Sequence, residues 1–314
     1  MNHINMDTPA LSFELLEDVS LYDIDVTLSM NRRLLSLSND FEEGKWRLSY
    51  FLQFILNNIG KTALSEKERQ KCIGNHFSAL KRAISRLRLS ANDNKGKGGE
   101  IAEILLYGIM SEYFNALPVV PKIFYKQNDN DNAKGADSVH ITLDGEDSFN
   151  LWFGEAKFYN SIESSRLVNP IESVLNSLDK HAIQKETSII TNLKELDEFI
   201  SNRELRKKIL KVLSPDANID TIRKILHIPI LLLHECELTA SGSELSPEFK
   251  QSIISKHRDT AVDFFAKLNE RNNSRVNPIF KLDEIKFHLI LFPVPNKAEI
   301  LNKLYNYFDQ TLSI

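Results

Sequence analysis

Leu151-Trp152-Phe153-Gly154-Glu155-Ala156-Lys157-Phe158-Tyr159 is the stretch on which the fold of this chain turns. It is rich in aromatic and apolar residues and contains no proline, which predicts a buried β-strand over about 149–158. Successive side chains of a strand point to opposite faces, so Leu151, Phe153, Glu155 and Lys157 share one face and Trp152, Gly154, Ala156 and Phe158 the other. An apolar strand thus ends by turning a carboxylate and an ammonium onto one face. The small residues Gly154 and Ala156 leave room there for an ion and for close backbone approach.

Upstream, Asp144-Gly145-Glu146-Asp147 has the composition of a hairpin turn, and Val139–Leu143 reads as the strand before it. The hairpin brings Asp137, in Gly135-Ala136-Asp137, beside the Glu155 strand. Two carboxylates that converge in this way can hold Mg²⁺ or Mn²⁺, because such an ion takes oxygen ligands at about 2.0–2.1 Å and is content with one or two protein carboxylates plus waters and a substrate phosphate. Asp137, Glu155 and a backbone carbonyl, that of Ala156, meet this demand. Still earlier, Gly99-Glu100 opens an apolar helix over roughly 99–116, with Glu103 and Tyr107 on the face of Glu100 and Ile101, Ile104, Leu105 and Gly108 on the opposite stripe. Glu100, preferred over Glu103, is the acid expected to complete the first ion site or to hold a second ion about 3.5–4 Å away. Lys157 has two roles open to it: positioning or deprotonating an attacking water, or stabilising charge on a phosphate. Carboxylates, a divalent ion and a cation are the groups that hydrolysis of a phosphodiester requires. Each signature alone has a plainer explanation. A charged pair at a strand end is usually a solvated edge, and an acid in the first turn of a helix is favoured by the helix dipole. Their order along the chain carries the catalytic expectation.

The remaining sequence frames this core. With 314 residues, 42% of them hydrophobic, the chain can bury a sizeable interior. Its net charge of −4 means that a nucleic acid must be attracted by local basic patches or by metal ions. Residues 1–90 read as a largely helical N-terminal region of unknown role. Trp46, Tyr50, Phe51, Phe54 and Ile55 recur at helical spacing before Gly60, and Ser65-Glu66-Lys67-Glu68 is a capping box that starts a helix towards Leu89. A polar, glycine-rich loop over 90–99 separates this region from a second one, 91–314, expected to be the catalytic domain. In that part, strand-like runs at 122–125, 139–143 and 149–158 are followed by a helix after Pro170, a charged helical segment over 193–212, the apolar run Ile228–Leu233, a helix near 246–270, a strand over Lys286–Phe292 and a helix from about Lys297 to Phe308. This succession predicts an α/β (α+β) fold with a mixed sheet flanked by helices.

Lys81, Arg82, Arg86, Arg88, Lys95 and Lys97, set against Asp93 alone, make either a phosphate-binding face or an ordinary exposed helix surface. Arg203, Arg206, Lys207, Lys208 and Lys211, diluted by Glu204, make a second patch suited to nucleic acid or to a partner protein. His234-Glu235-Cys236 has the composition of a metal cluster, but it follows an apolar strand on which neighbours face opposite ways, which favours structural roles. No phosphate loop is present, since Gly96-Lys97-Gly98-Gly99-Glu100 lacks the Gly-Lys-Ser/Thr ending. The two cysteines, Cys72 and Cys236, fit neither a zinc ribbon nor a disulfide framework and are expected to be reduced, buried thiols of a cytoplasmic protein. No apolar run is long enough to span a membrane.

The order helix acid, strand Asp, Glu-x-Lys resembles the PD-(D/E)XK nuclease superfamily, in which Glu100, Asp137, Glu155 and Lys157 take the catalytic positions. Ala136 stands where the name of the superfamily has proline. More narrowly, Gly99–Tyr107, Lys134–His140 and Leu151–Tyr159 resemble the nuclease subunits (HamA) of Hachiman anti-phage defence systems, with the clear similarity over about 97–160. That resemblance implies a restriction-endonuclease-like core and a bacterial cytoplasmic effector nuclease that cleaves DNA beside a partner helicase (HamB type). The alternatives are a self-standing restriction-type endonuclease and a non-catalytic module that binds nucleic acid or a partner through the same fold.

Overall fold

The computed structural model describes residues 11–87, 98–120, 123, 136–145, 148–192, 200–214 and 216–314. Its centre is a seven-stranded mixed sheet in the order β1-β2-β9-β8-β7-β6-β5. The strands are β1 (Glu14–Ser20), β2 (Arg32–Ser38), β5 (Leu117–Val120), β6 (Ser138–Asp144), β7 (Ser148–Tyr159), β8 (Leu226–Glu235) and β9 (Lys286–Val294), while β3 (Phe41–Glu42) and β4 (Lys45–Trp46) form a small separate hairpin. β2, β9, β8 and β7 run parallel to one another. β1 closes one edge, and β6 with β5 the other, by antiparallel pairing.

Parallel strands covered on both faces read as unbroken apolar runs. Ile228–Leu233 and Leu289–Phe292 are such runs, and both strands are buried almost throughout. One face of the sheet carries Leu35, Trp152, Ala156, Phe158, Leu231 and Ile290, and is covered by α1 (Leu48–Ala63), α3 (His76–Ile84), α4 (Gly99–Glu112) and the last helix, α11 (Lys297–Ser313). The other carries Val139, Leu151, Phe153, Ile230 and Leu289 under α5 (Val168–Ser177), α6 (Lys180–Asn192), α7 (Arg203–Val212) and the long α10 (Pro247–Ser274). Short helices α2 (Glu66–Lys71), α8 (Ile219–Lys224) and α9 (Glu237–Ser241) complete the chain order. The α/β class with a mixed sheet flanked by helices is what the sequence predicts.

The N-terminal region departs from its expected largely helical character. Its helices are present, but β1 and β2 extend the central sheet, which therefore draws strands from both sides of residue 90. Trp46 lies on β4 rather than on α1, because Glu43 and Gly44 both adopt positive φ, at 50° and 72°, and turn a two-residue hairpin there. The helix expected from Ser65 towards Leu89 has its capping box, but it divides into α2 and α3 at Gly74, where φ is +81°. The loop at 90–99, the run at 122–125 and the start of the 193–212 segment fall largely outside the described residues; α7 is the described end of that last segment. Cys236 is buried and Cys72 half-buried, and both are free thiols.

Five histidines lie in the interior: His140, His227, His234, His257 and His288. His234 and His257 form a chain in which Ser36 Oγ is 2.7 Å from His257 Nδ1, the two Nε2 atoms are 3.3 Å apart, and His234 Nδ1 is 3.0 Å from the Glu235 carbonyl. Burial lowers His234 to about 4 and His257 well below its ordinary value of 6.5. It also lowers His140 and His288 to about 3. The folded protein therefore keeps these rings neutral where the unfolded chain protonates them, so their contribution is full above pH 6.5 and declines as pH falls towards 4.

Two stability predictions follow from this packing. The melting temperature should fall steadily between pH 7 and pH 5, since each such histidine contributes up to about 1.4 kcal/mol per pH unit; an unchanged melting temperature across that range would contradict the buried neutral rings. A Cβ on Gly108 would lie 2.4 Å from Phe54 Cζ, whereas one on Gly60 meets nothing within 4 Å. Gly108→Ala should cost about 1–3 kcal/mol in urea unfolding, while Gly60→Ala should be neutral or slightly stabilising; equal stability of the two variants would refute the α1–α4 contact.

Candidate active site

The β6–β7 pairing assembles the candidate site. Ser138 lies opposite Gly154 and Asp144 opposite Ser148, with the turn made at Gly145, where φ is +73°. The ladder continues one residue beyond β6, since the Asp137 amide donates to the Gly154 carbonyl at 2.7 Å. Asp137 is thereby held at the strand entrance, on the face of Val139, Phe153 and Glu155. Its Oδ2 accepts from the Ala156 amide at 3.1 Å and from Lys157 Nζ at 3.3 Å. Lys157 Nζ also lies 2.5 Å from Glu155 Oε1. One ammonium is thus shared by two carboxylates on adjacent strands.

Close approach of the strands depends on Gly154. A Cβ there would stand 2.1 Å from Ser138 Oγ and 2.8 Å from Leu106 Cδ2, so a side chain would force β6 and α4 away from β7. Glu155 is only 4% exposed. Burial raises its pKa and Asp137 raises it further, while Lys157 and the Ser173 hydroxyl on α5 act against the rise. Burial alone would lower Lys157, but Asp137 and Glu155 outweigh it and hold its pKa above the ordinary lysine value. The two carboxylates thus favour its ammonium form.

Asp137, Glu155, Ala156 and Lys157 are thus brought together as expected. Glu100 is not brought to them. It sits in the first turn of α4, on the sheet face opposite to Glu155, where Tyr305 has its hydroxyl pKa raised first by its own burial and then by the Glu100 charge. Glu103 lies on the same helix and is likewise part of that layer. Among the described residues no group of three or more His, Cys, Asp or Glu side chains is disposed to hold a metal ion. The Ala156 group engaged with Asp137 is its amide, a donor, rather than its carbonyl. Glu155 is buried and Asp137 half-buried, and the all-oxygen donor set of these two carboxylates suits Mg²⁺ or Mn²⁺. Ser173, a lone serine on a helix, carries no distinguishing pattern in the sequence.

Other sequence candidates resolve into structural roles. His234 belongs to the buried histidine chain, and Glu235 accepts from Asn160 at 3.2 Å and from the Lys297 amide at 2.6 Å. Of the first basic patch, Arg86 is paired with Glu68, while Arg88, Lys95 and Lys97 lie outside the described residues. On α7, Leu205 and Ile209 are buried and the basic residues Arg203, Lys207, Lys208 and Lys211 are exposed, with Lys207 paired to Glu204 at 2.8 Å. Among the described residues no helix is long and apolar enough to cross a membrane.

A sequence model of the HamA family matches residues 14–308, from the first strand of the sheet to the last helix. The chain belongs to the HamA family. This HamA member is accordingly a component of a Hachiman defence system. The match spans β1 and β2 as well as the candidate site. A search of curated proteins returned no match.

Proposed function

We propose that this HamA-family chain is a metal-dependent DNA endonuclease with a PD-(D/E)XK-type site, acting in the cytoplasm as the effector of its defence system together with a partner helicase of the HamB type. The observation that supports this most is the convergence of Asp137, Glu155 and Lys157 from two adjacent strands within hydrogen-bonding distance. Asp137 and Glu155 would hold Mg²⁺ or Mn²⁺, which when bound polarises a phosphate and makes water a better nucleophile at neutral pH. Glu100, which lies on the other face of the sheet, is not assigned to the ion.

The chain's own groups carry the other duties. The Ala156 amide and Lys157 fix the Asp137 carboxylate, so that its orientation is set before an ion arrives. Lys157 lies beside both acids and is placed to stabilise the negative charge that develops on a phosphate. Burial keeps Glu155 largely out of water, and the Ser173 hydroxyl on α5 favours its charged form.

Purified protein should cleave plasmid or linear DNA with Mg²⁺ or Mn²⁺ and stop on addition of EDTA. Asp137→Asn, Glu155→Gln and Lys157→Ala should each lower that rate at least about a hundredfold while circular dichroism and melting remain those of a folded protein. Full activity in the folded variants would reject the site. Binding of DNA without metal-stimulated turnover would instead favour the non-catalytic module, and sequence-specific cleavage without a helicase would favour a self-standing restriction-type enzyme.

A further inference from the structure

Helix α6 places a carboxylate on its buried stripe, which also carries Ile183, Thr187 and Ile190. Ile183 and Ile190 are fully buried on this helix, and Glu186, one turn from each, is only 2% exposed. A buried carboxylate is costly unless it is hydrogen-bonded. Glu186 Oε1 accepts the backbone amide of Ala136 at 3.1 Å, a contact across 50 residues of sequence. Ala136 is the residue immediately before Asp137, and the Asp137 amide in turn donates to Gly154. Two successive amides are therefore anchored, one by α6 and one by β7. Together they fix the backbone from which the Asp137 side chain departs.

We infer that Glu186 is a positioning residue for Asp137, acting through the Ala136 amide. This inference rests on the proposed metal site. Removing the acceptor frees the Ala136 amide and lets the entrance to β6 shift, so that Asp137 no longer presents its carboxylate to the ion in the same orientation. Outer residues that orient ligands typically influence metal affinity by about tenfold to a hundredfold.

The test measures Mn²⁺ affinity by calorimetry on the full chain, alongside hydrogen–deuterium exchange over the peptide containing Ala136 and Asp137. Glu186→Ala should weaken Mn²⁺ binding at least about tenfold and speed exchange in that peptide, with helix content retained. Glu186→Gln keeps an acceptor oxygen and should restore both properties to within about threefold of the wild type. Where Glu186→Ala fails to fold, Glu186→Gln and Glu186→Asp carry the comparison, and affinity must follow amide protection across them. Affinity that changes while protection does not, or protection that is lost while affinity is unchanged, overturns the positioning role but leaves the metal site standing. A wild-type protein that binds no Mn²⁺ overturns both, and does so without reference to any Glu186 variant.

Discussion

The hydrogen bond from the Asp137 amide to the Gly154 carbonyl is the contact on which the candidate site depends. It extends the β6–β7 ladder by one residue past the last regular pair, and that extension carries an acidic side chain to the ammonium at the end of β7. A register slip of one residue would put Asp137 on the α4 face and separate it from Glu155. Gly154 guards against such a slip, since Ser138 occupies the space that a side chain there would need. The same two strands therefore supply both the scaffold and the charged groups.

The core of the site was legible because a β-strand obeys a rule with period two. Once Leu151–Tyr159 is taken as a strand, Glu155 and Lys157 must share a face, and the turn at Asp144-Gly145 must return Asp137 to their side. The position of Glu100 does not follow from such a rule. Its place in the first turn of α4 is readable, but whether α4 lies over the Glu155 face or the opposite one is a tertiary choice. Here the apolar stripe Ile101, Ile104 and Leu105 selects the face of Trp152, Ala156 and Phe158.

The strands β1 and β2 were hidden for a different physical reason. β2 begins Arg32-Arg33, which looks like a solvated segment, yet Arg32 is fully buried. Its guanidinium donates to the Ile285 carbonyl at 3.0 Å, pairs with Asp283 at 3.2 Å and lies 4.4 Å from the centre of the Phe287 ring. A cation that replaces its water with carbonyls, a carboxylate and an aromatic face can occupy a core position. Nothing local to residues 32–38 announces those partners, which arrive some 250 residues later in the chain. The buried histidine chain from Ser36 through His257 and His234 is concealed in the same way, because its members come from β2, α10 and β8.

The insertion of β2 between β1 and β9 imposes an order on assembly. During synthesis β6, β7 and β8 can pair as soon as residue 235 has emerged, but the hairpin of β1 and β2 has no parallel neighbour until β9 follows at residues 286–294. A ribosome that stalls in between leaves a nascent product with an unsealed sheet edge and a bare apolar surface, the kind of species that chaperones retain and proteases remove. Completion of the sheet thus waits on residues 286–294, the last strand to be made.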